Sequence, residues 1–326
     1  MGEVMEYHPT VIANVPCCVC ESEKSQEFFN CRFDKFHYSG VFHMRRCSEC
    51  DLLFCSPRLS EQGIAALYDA NYYVFQKKDA DSFARTAQIY QRTIGRIPAN
   101  VPKRVVEVGS GKGYLLSVLH ELGWQSYGIE ISEHAARYSQ EQFGVPTYSG
   151  TLDQYLESSN LQEPFPLTLC IDIIEHVPAP EIFVHGLARL TAPGGYLVID
   201  TPNGKAAHIE GEGSLWRGFN PFHIYVFHSE NIKKLLSRAG FEIIEVFTYN
   251  NFLERRNLHE DSGTFLRRVS QFIKRYASFT NCGVDSNTSC AKMCQRLPNY
   301  FQTQDSQGEL APSLRGENLM IVARRA

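Results

Sequence analysis

Beginning at Lys103, short apolar segments alternate with amphipathic helical patterns, and this alternation constrains the fold more than any other feature of the chain. The segments Arg104 to Val108, Ser126 to Ile129 and Leu167 to Ile171 are predicted strands, and amphipathic stretches separate them. Apolar strands that are joined by helices form parallel sheets covered on both faces. We therefore predict an α/β domain built on a doubly wound sheet.

The first predicted strand ends in a glycine-rich loop that departs from the dinucleotide-binding fingerprint. The loop contains Gly109, Gly111 and Gly113, but Tyr114 stands where the pattern G-x-G-x-x-G requires a glycine. Glycines allow a ligand to approach the backbone closely at the carboxyl edge of a parallel sheet. The loop therefore predicts a cofactor site, and the departure at Tyr114 counts against NAD.

Two acidic residues at the ends of the first two strands define the ligand further. Glu107 lies just before the glycine loop, where a carboxylate suits an ammonium group better than a pyrophosphate. Glu130 ends the second strand, where an acidic side chain accepts hydrogen bonds from ribose hydroxyls. A ligand with an adenine, a ribose and an amine but no phosphate fits these groups, and we predict S-adenosylmethionine.

The N-terminal segment carries a cluster of cysteines. Seven of the eleven cysteines lie between Cys17 and Cys55, and an odd total cannot pair completely. No secretory signal is recognised in residues 1–15, so we expect a reducing, cytoplasmic compartment in which such clusters bind metal. Two Cys-x-x-Cys turns provide the four thiolates of a structural zinc site, namely Cys17, Cys20, Cys47 and Cys50. Cys18 and Cys55 are substitute ligands, and a small core of reduced cysteines is the alternative.

Several motifs together resemble the class I S-adenosylmethionine-dependent methyltransferases. They are Glu107 to Gly113, Glu130, Asp172-Ile173-Ile174-Glu175-His176-Val177, Pro193-Gly194-Gly195-Tyr196-Leu197, Phe222 to Phe227 and Ser229 to Phe241. The stretch from Cys17 to Tyr73 is similar to the zinc-ribbon extension of a subgroup that includes sugar C-methyltransferases. The resemblance covers residues 17–250 and the last ten residues, and it implies a Rossmann-like sheet of seven strands.

These patterns divide the chain into four parts. We predict a zinc-ribbon module over residues 1–58 and a helical linker or lid over residues 59–100. The cofactor-binding methyltransferase domain is predicted over residues 101–250 together with 317–326. Residues 251–316 break the alternation of strands and helices and are predicted to form a helical C-terminal insertion.

The resemblance also implies roles for individual residues. The three glycines of the loop would pass under the methionine portion of the cofactor, with Glu107 at its ammonium group and Glu130 at its ribose. Further cofactor contacts are implied at the adenine for Leu152 and Asp153, at the mouth of the site for Asp172, and over the cofactor for Tyr72 and Tyr73. Packing between domains is the alternative role of the two tyrosines.

Residues near the carboxyl edge of the sheet are candidates for catalysis. A methyltransferase aligns the acceptor with the methyl group and excludes water, and it needs a base only if the acceptor loses a proton. His176 follows the fourth strand, and His223 with Tyr225 precedes a capped helix, so we predict catalytic roles for these three. The motif at Asp172 lacks the Asn/Asp-Pro-Pro-Tyr/Phe sequence typical of methyltransferases that act on amino groups of bases or glutamine. Carbon or oxygen of a sugar-like or natural-product acceptor is therefore predicted, with the zinc-ribbon resemblance favouring carbon.

Composition limits the partners of the chain. A net charge of −4 gives no general attraction to nucleic acid, and no apolar run approaches the roughly 18 residues of a membrane span. We therefore expect a small-molecule acceptor, no nucleic acid and no membrane, and the oligomeric state is left open. Two alternatives remain: an NAD-dependent Rossmann oxidoreductase, and a zinc-ribbon protein that binds or modifies RNA.

Overall fold

The computed structural model describes residues 11–12, 14–35, 38–65, 86, 89, 92–158, 163–250 and 314–326. The strands are β1 Val11–Ile12, β2 Ser25–Lys35, β3 Tyr38–Cys47, β4 Leu53–Cys55, β5 Arg58–Leu59, β6 Arg104–Val108, β7 Gln125–Glu130, β8 Thr147–Ser149, β9 Phe165–Ile171, β10 Thr191–Pro202, β11 Tyr225–Val226, β12 Phe241–Tyr249 and β13 Asn318–Arg325. The helices are α1 Glu61–Ala65, α2 Tyr114–Glu121, α3 Glu133–Phe143, α4 Leu152–Glu157, α5 Pro180–Leu190, α6 Ala207–Glu212 and α7 Ser229–Arg238, with short 3-10 helices at Ile174–His176 and Gly213–Leu215.

The central sheet has seven strands in the order β12-β13-β10-β9-β6-β7-β8. The strands from β10 to β8 are parallel, and β13 lies antiparallel between β10 and β12. The predicted Rossmann-like sheet of seven strands is therefore confirmed. The strand order changes direction at β6, which has β7 on one side and β9 on the other. Ligands of such sheets bind at the carboxyl ends of the strands on either side of this switch point.

Alternate side chains of the central strands enter two separate cores. Val106 and Ile199 pack in one core together with buried residues of α4, α5 and α7. Val105 and Val198, their neighbours in the chain, pack in the other core together with Leu116 of α2. The alternation follows the two-residue period of a strand, and it confirms that the sheet is covered on both faces.

A second sheet connects the cysteine segment to the central domain. Its order is β11-β4-β3-β2, in which β2 and β3 form an antiparallel hairpin. Strand β11 pairs with β4 through Tyr225 opposite Phe54 and Val226 opposite Leu53. The backbone N–H of Cys55 extends this connection by donating to the Ile224 carbonyl at 2.9 Å. The N-terminal module was predicted to end at residue 58, but its sheet also contains β11, which comes from the predicted methyltransferase domain.

Several predictions fall on other parts of the chain. Tyr72 and Tyr73 lie outside the described residues, and so does the predicted helical insertion up to residue 313. The predicted lid over residues 59–100 is described only in part, with α1 as its first helix. Among the described residues, no helix combines the length and the apolar character that a membrane span requires.

Candidate functional site

The loop that follows β6 requires glycine for both conformational and steric reasons. Gly109, Gly111 and Gly113 have φ angles of 75°, 53° and 76°. A Cβ atom on Gly109 would lie 2.1 Å from Cδ1 of Ile173, and one on Gly113 would lie 2.1 Å from Oγ of Ser139. A side chain at either position would strain the backbone and collide with a packed neighbour. The loop therefore holds its backbone in a shape that other residues do not readily adopt.

Glu107 presents a buried acidic group beside this loop. It is 6% exposed, and its Oε2 has no hydrogen-bond partner among the described residues. Burial raises the pKa of Glu107 to about 8, and the nearby charge of Glu130 contributes to the rise. A buried carboxyl oxygen without a donor is best satisfied by a positively charged donor. The site at Glu107 therefore fits the ammonium group of a ligand.

Glu130 connects the glycine loop to the next helix. Its Oε2 accepts from the Gly111 backbone N–H at 2.7 Å, and its Oε1 accepts from the Ser132 N–H at 2.8 Å. Burial raises the pKa of Glu130, while the two backbone donors lower it. Each carboxylate oxygen has two lone pairs, so both retain the capacity to accept from a ribose hydroxyl. The anchoring of the loop is a role that the sequence reasoning missed.

The residues predicted at the adenine lie next to the end of β7. The Gly150 N–H donates to the Glu130 carbonyl at 2.9 Å, immediately before α4 begins at Leu152. Leu152 is buried in the core against Gly186 of α5, where a Cβ on the glycine would lie 2.9 Å from Leu152 Cδ2. Asp153 is exposed. The exposed carboxylate is therefore the one of the two side chains that a ligand can reach without rearranging the core.

Asp172 follows β9 in an unusual backbone conformation. Its φ angle is 52°, and its N–H donates to the Asp200 carbonyl at 2.8 Å. The left-handed region is uncommon for residues other than glycine and is concentrated at functional sites. The next residue, Ile173, provides the side chain against which Gly109 packs. The turn at Asp172 therefore lies directly beside the glycine loop.

The turn after Asp172 brings two predicted catalytic residues together. The rings of His176 and His223 have centroids 4.8 Å apart with an interplanar angle of 69°. Nδ1 of His176 is 2.8 Å from the Phe222 carbonyl, and Nδ1 of His223 is 3.0 Å from the Gly218 carbonyl. A ring nitrogen bonded to a carbonyl carries the hydrogen, so in a neutral ring the lone pair is on Nε2. Burial lowers the pKa of His176 to about 4, which keeps this ring neutral.

Glu175 lies beside the histidine pair, and the sequence reasoning gave it no role. Its side chain is 0% exposed, and its Oε1 is 3.9 Å from Nε2 of His176. Its Oε2 accepts from the Thr201 hydroxyl at 3.0 Å. The signal was present in the sequence, because Glu175 adjoins His176 and lies in the turn that ends the fourth strand of the central domain. A carboxylate and two imidazoles thus meet at one place.

Tyr225 is placed differently from the two histidines. It is 1% exposed in β11, and its hydroxyl donates to the Pro178 carbonyl at 3.2 Å. Burial raises the pKa of Tyr225, so the phenol stays protonated. The Arg58 guanidinium lies 5.5 Å from the centre of its ring. These contacts describe a positioning residue that joins β11 to the turn after His176, and its catalytic role stays a prediction.

The four predicted zinc ligands lie together. Sγ of Cys17 is 3.4 Å from Sγ of Cys50, and Sγ of Cys20 is 3.5 Å from Sγ of Cys47. Thiolates at the corners of a zinc tetrahedron are about 3.8 Å apart, given Zn–S bonds of about 2.3 Å, whereas sulfurs in a disulfide are about 2.05 Å apart. The cluster therefore has the spacing of a metal site. Cys55 lies elsewhere, with its thiol donating to Met44 Sδ at 3.3 Å.

The cysteine cluster is also connected to the segment that carries His223. The Cys50 carbonyl accepts from the Asn231 side chain at 3.1 Å and lies 3.0 Å from Nε2 of His228. His228 and Asn231 form a capping box at the start of α7. Because β11 pairs with β4 just before this point, the cluster and its sheet hold the chain on the C-terminal side of His223.

Comparisons with known proteins add relatives to this picture. A family model described as a methyltransferase domain matches residues 79–246. The ubiquinone biosynthesis O-methyltransferase of Cupriavidus pinatubonensis is 29% identical over 176 residues, covering 49% of this chain and 69% of the relative. The protein of the same description from Maricaulis maris is 27% identical over 183 residues, covering 52% and 71%. Among solved structures, a SAM-dependent methyltransferase from Archaeoglobus fulgidus is 19% identical with a TM-score of 0.48, covering 78% of this chain and 100% of that one.

Proposed function

The chain belongs to the methyltransferase domain family, and from this premise we propose that it methylates an oxygen or carbon atom of a small, sugar-like or natural-product acceptor. Family and relatives together make it a SAM-dependent methyltransferase. The observation that carries the proposal is the unsatisfied buried oxygen of Glu107 beside the glycine loop. It supports a ligand with an ammonium group at the switch point of the sheet, where a dinucleotide would present a pyrophosphate instead.

The cofactor would be held by residues at or just after the ends of four neighbouring strands, β9, β6, β7 and β8. S-adenosylmethionine supplies a methyl group bonded to a positively charged sulfur. Glu107 would accept from its ammonium group, and Glu130 would accept from its ribose hydroxyls. The glycine loop would admit the methionine portion of the cofactor, since the three glycines have no side chains that block access to the backbone. Asp153 and Asp172 would border the adenine and the mouth of the site.

The histidine pair would act on the acceptor. A hydroxyl or an acidic carbon loses a proton when it is methylated, and a neutral imidazole nitrogen is suited to accept it. Both histidines are partly buried, and Nδ1 of His223 is already bonded to a backbone carbonyl. Its Nε2 is therefore the proposed proton acceptor, with His176 packed against it at the carboxyl edge.

Two observations bear on the atom that receives the methyl group. The relatives from Cupriavidus and Maricaulis are named O-methyltransferases, which supports oxygen. The resemblance of the cysteine segment to the extension of sugar C-methyltransferases supports carbon. Both acceptors stay within the proposal, because either one would lose a proton near His223.

We further propose that Cys17, Cys20, Cys47 and Cys50 hold a structural zinc ion. The sulfur separations support a tetrahedral site, and all four cysteines are free of disulfides. The Cys50 thiol hydrogen-bonds to Cys17 and holds the pKa of Cys17 well below its usual value. A segment of this size buries little apolar surface, so a metal would contribute to its stability.

A labelled-methyl screen tests the proposed function. The purified protein is incubated with S-adenosylmethionine carrying a deuterated methyl group and with a fractionated metabolite extract, and products are found by mass spectrometry. We expect one or more small oxygen-rich acceptors to gain the labelled methyl, and Glu107→Gln protein to form far less product. Calorimetry that detects binding of NAD but not of S-adenosylmethionine would contradict the proposal.

A further inference from the structure

Three side chains, two of them in the turn after β9, converge like the ligands of a metal ion. One ligand atom each from Glu175, His176 and His223 lies within 4.8 Å of the other two. Two imidazoles and one carboxylate that approach from one side form a facial set, which leaves the opposite positions open. We propose that these three residues bind one divalent transition-metal ion, and that oxygen atoms of the methyl acceptor occupy its open positions.

The hydrogen bonds around the three residues hold them in the orientation that ligation requires. Histidines that bind metals almost always donate their other ring N–H to a carbonyl, a carboxylate or water. His176 does so to the Phe222 carbonyl and His223 to the Gly218 carbonyl. The Thr201 hydroxyl holds the far oxygen of Glu175, and the near oxygen lies towards His176. These contacts hold the three ligand atoms close together.

Burial and charge also suit a cation at this position. Glu175 is 0% exposed, and a carboxylate in such an environment is stabilised by a positive charge beside it. His223 is only half-buried, which leaves a path for an ion and for an acceptor.

A second cluster in the structure shows what a less suitable arrangement looks like. One ligand atom each from His208, Glu212 and Glu317 also lies within 4.8 Å of the others. However, the Arg217 guanidinium lies 3.7 Å from a carboxylate oxygen of Glu317, and Glu212 is exposed. A cation would have to compete with the arginine there. This cluster therefore serves as a control and carries no proposal.

The ion would change how the proton of the acceptor is lost. A metal ion lowers the pKa of a bound hydroxyl, so the proton could leave to solvent while the oxygen stays bound as an anion. An Nε2 atom that holds the ion cannot also accept this proton, so the ion would replace the imidazole base and favour oxygen as the methylated atom. The inference that acceptor oxygens occupy the open positions of the ion rests on the proposed function, whereas the ion site itself does not.

Cobalt titration tests the ion site. Because thiolates bind zinc more tightly than two imidazoles and a carboxylate do, protein that contains one zinc ion per chain is titrated with Co²⁺ by calorimetry. Crystals grown with Co²⁺ are measured for anomalous diffraction. We expect one Co²⁺ per chain in addition to the zinc, with its anomalous peak among Glu175, His176 and His223. Absorption bands of cobalt thiolates would reveal any Co²⁺ that had entered the cysteine cluster instead.

Three variants remove one ligand each and keep the structural hydrogen bond. His176→Asn and His223→Asn retain a donor for the Phe222 and Gly218 carbonyls, and Glu175→Gln retains an acceptor for Thr201. We expect each variant to weaken Co²⁺ binding by at least about tenfold, because loss of supporting groups alone costs that much. His208→Ala, in the second cluster, should bind Co²⁺ as the wild type does.

Two results would overturn the inference: wild-type protein that takes up no Co²⁺ beyond its zinc, or ligand variants that bind Co²⁺ as tightly as the wild type. Thermal unfolding of each variant identifies any that fails to fold. If the variants fail to fold, the position of the anomalous peak in wild-type crystals still shows whether the three residues bind the ion.

Titration of the same proteins with S-adenosylmethionine separates the ion site from the proposed function. Normal cofactor binding without Co²⁺ binding rejects only the ion site, and absent cofactor binding rejects the proposed function.

Discussion

The buried carboxyl of Glu107 is predicted to couple cofactor binding to pH. With its pKa raised to about 8 by burial, Glu107 is mostly protonated in the free protein at neutral pH. An ammonium group beside it favours the ionised form, so cofactor binding should release a proton. Below the raised pKa, a rise in pH ionises more of the free protein, and we therefore expect affinity to increase from about pH 6 to about pH 7.5.

Calorimetry in buffers with different ionisation enthalpies measures this release. We expect up to one proton per bound S-adenosylmethionine near neutral pH in the wild type and none that is attributable to this site in Glu107→Gln. The variant keeps the size of the side chain and removes its ability to ionise. Equal proton release by the two proteins would show that Glu107 does not receive the ammonium group.

Glu130 is predicted to act on both the ligand and the loop. Glu130→Ala removes the proposed ribose acceptor and the two acceptors for the Gly111 and Ser132 N–H groups. We expect cofactor affinity to fall about tenfold or more, corresponding to about 1.5 to 3 kcal/mol, and the melting temperature of the free protein to fall as well. Glu130→Gln keeps one acceptor oxygen, so its cofactor affinity and melting temperature should lie between those of the wild type and those of Glu130→Ala. An unchanged dissociation constant for Glu130→Ala would exclude the ribose contact.

At the scale of single elements, one glycine of the loop can be compared with one glycine outside it by the same substitution. Gly109 and Gly123 both have positive φ, 75° and 84°, but only a Cβ on Gly109 would collide with a neighbour. We expect Gly123→Ala to cost about 1 to 2 kcal/mol of stability through backbone strain and to leave cofactor binding unchanged. Gly109→Ala should cost more and weaken cofactor binding at least about tenfold, since Ile173 or the loop must move.

Denaturant unfolding and cofactor titration of both variants check this comparison. If Gly123→Ala weakened cofactor binding as much as Gly109→Ala does, the effect would come from general destabilisation and not from the loop. If neither variant altered binding, the loop would not be the cofactor site.

The sequence could predict those elements whose structure is determined by residues close together in the chain. The strands of the central sheet and the glycine loop have strong apolar periodicity and special backbone requirements, and both were found where expected. The motif residues Pro193 to Gly195 are of the type that forms turns, but they form an irregularity within β10, because the pairing register with β9 shifts between Thr191 and Tyr196. A local turn signal does not reveal whether the strand resumes on the same partner.

Contacts between distant segments could not be predicted in the same way. The approach of His176 to His223 was expected only as a shared edge of the sheet, whereas their ring contact depends on the turn at Asp172 and on two backbone carbonyls. The anchoring role of Glu130 was missed because its partners are backbone N–H groups, which every residue except proline has. Such pairings arise from the folded backbone and leave no signal of residue type.

At the scale of the whole molecule, the cysteine cluster is predicted to support the acceptor side of the site. In Cys50→Ser, we expect loss of the proposed zinc ion, a lower melting temperature and reduced turnover. The reason is that the Cys50 carbonyl and strand β4 hold the chain that follows His223. Cofactor affinity should change little, because the glycine loop belongs to the other sheet.

Atomic emission spectroscopy gives the zinc content, and calorimetry with S-adenosylmethionine gives the cofactor affinity. Cys31→Ala is the matched control, because Cys31 is a buried cysteine of the same sheet outside the four-cysteine cluster. This variant should keep its zinc. Equal zinc content in Cys50→Ser and Cys31→Ala would argue against a site formed by the four cysteines.

The pairing of β4 with β11 has a consequence for the order in which the chain folds. During synthesis β4 emerges long before Tyr225 and Val226, so its edge stays unpaired while most of the central domain is made. Pairings between strands so far apart in sequence form slowly, because a long loop must close first. Docking of β11 would then be a late step, and in refolding experiments the recovery of methyl transfer should lag behind the recovery of cofactor binding.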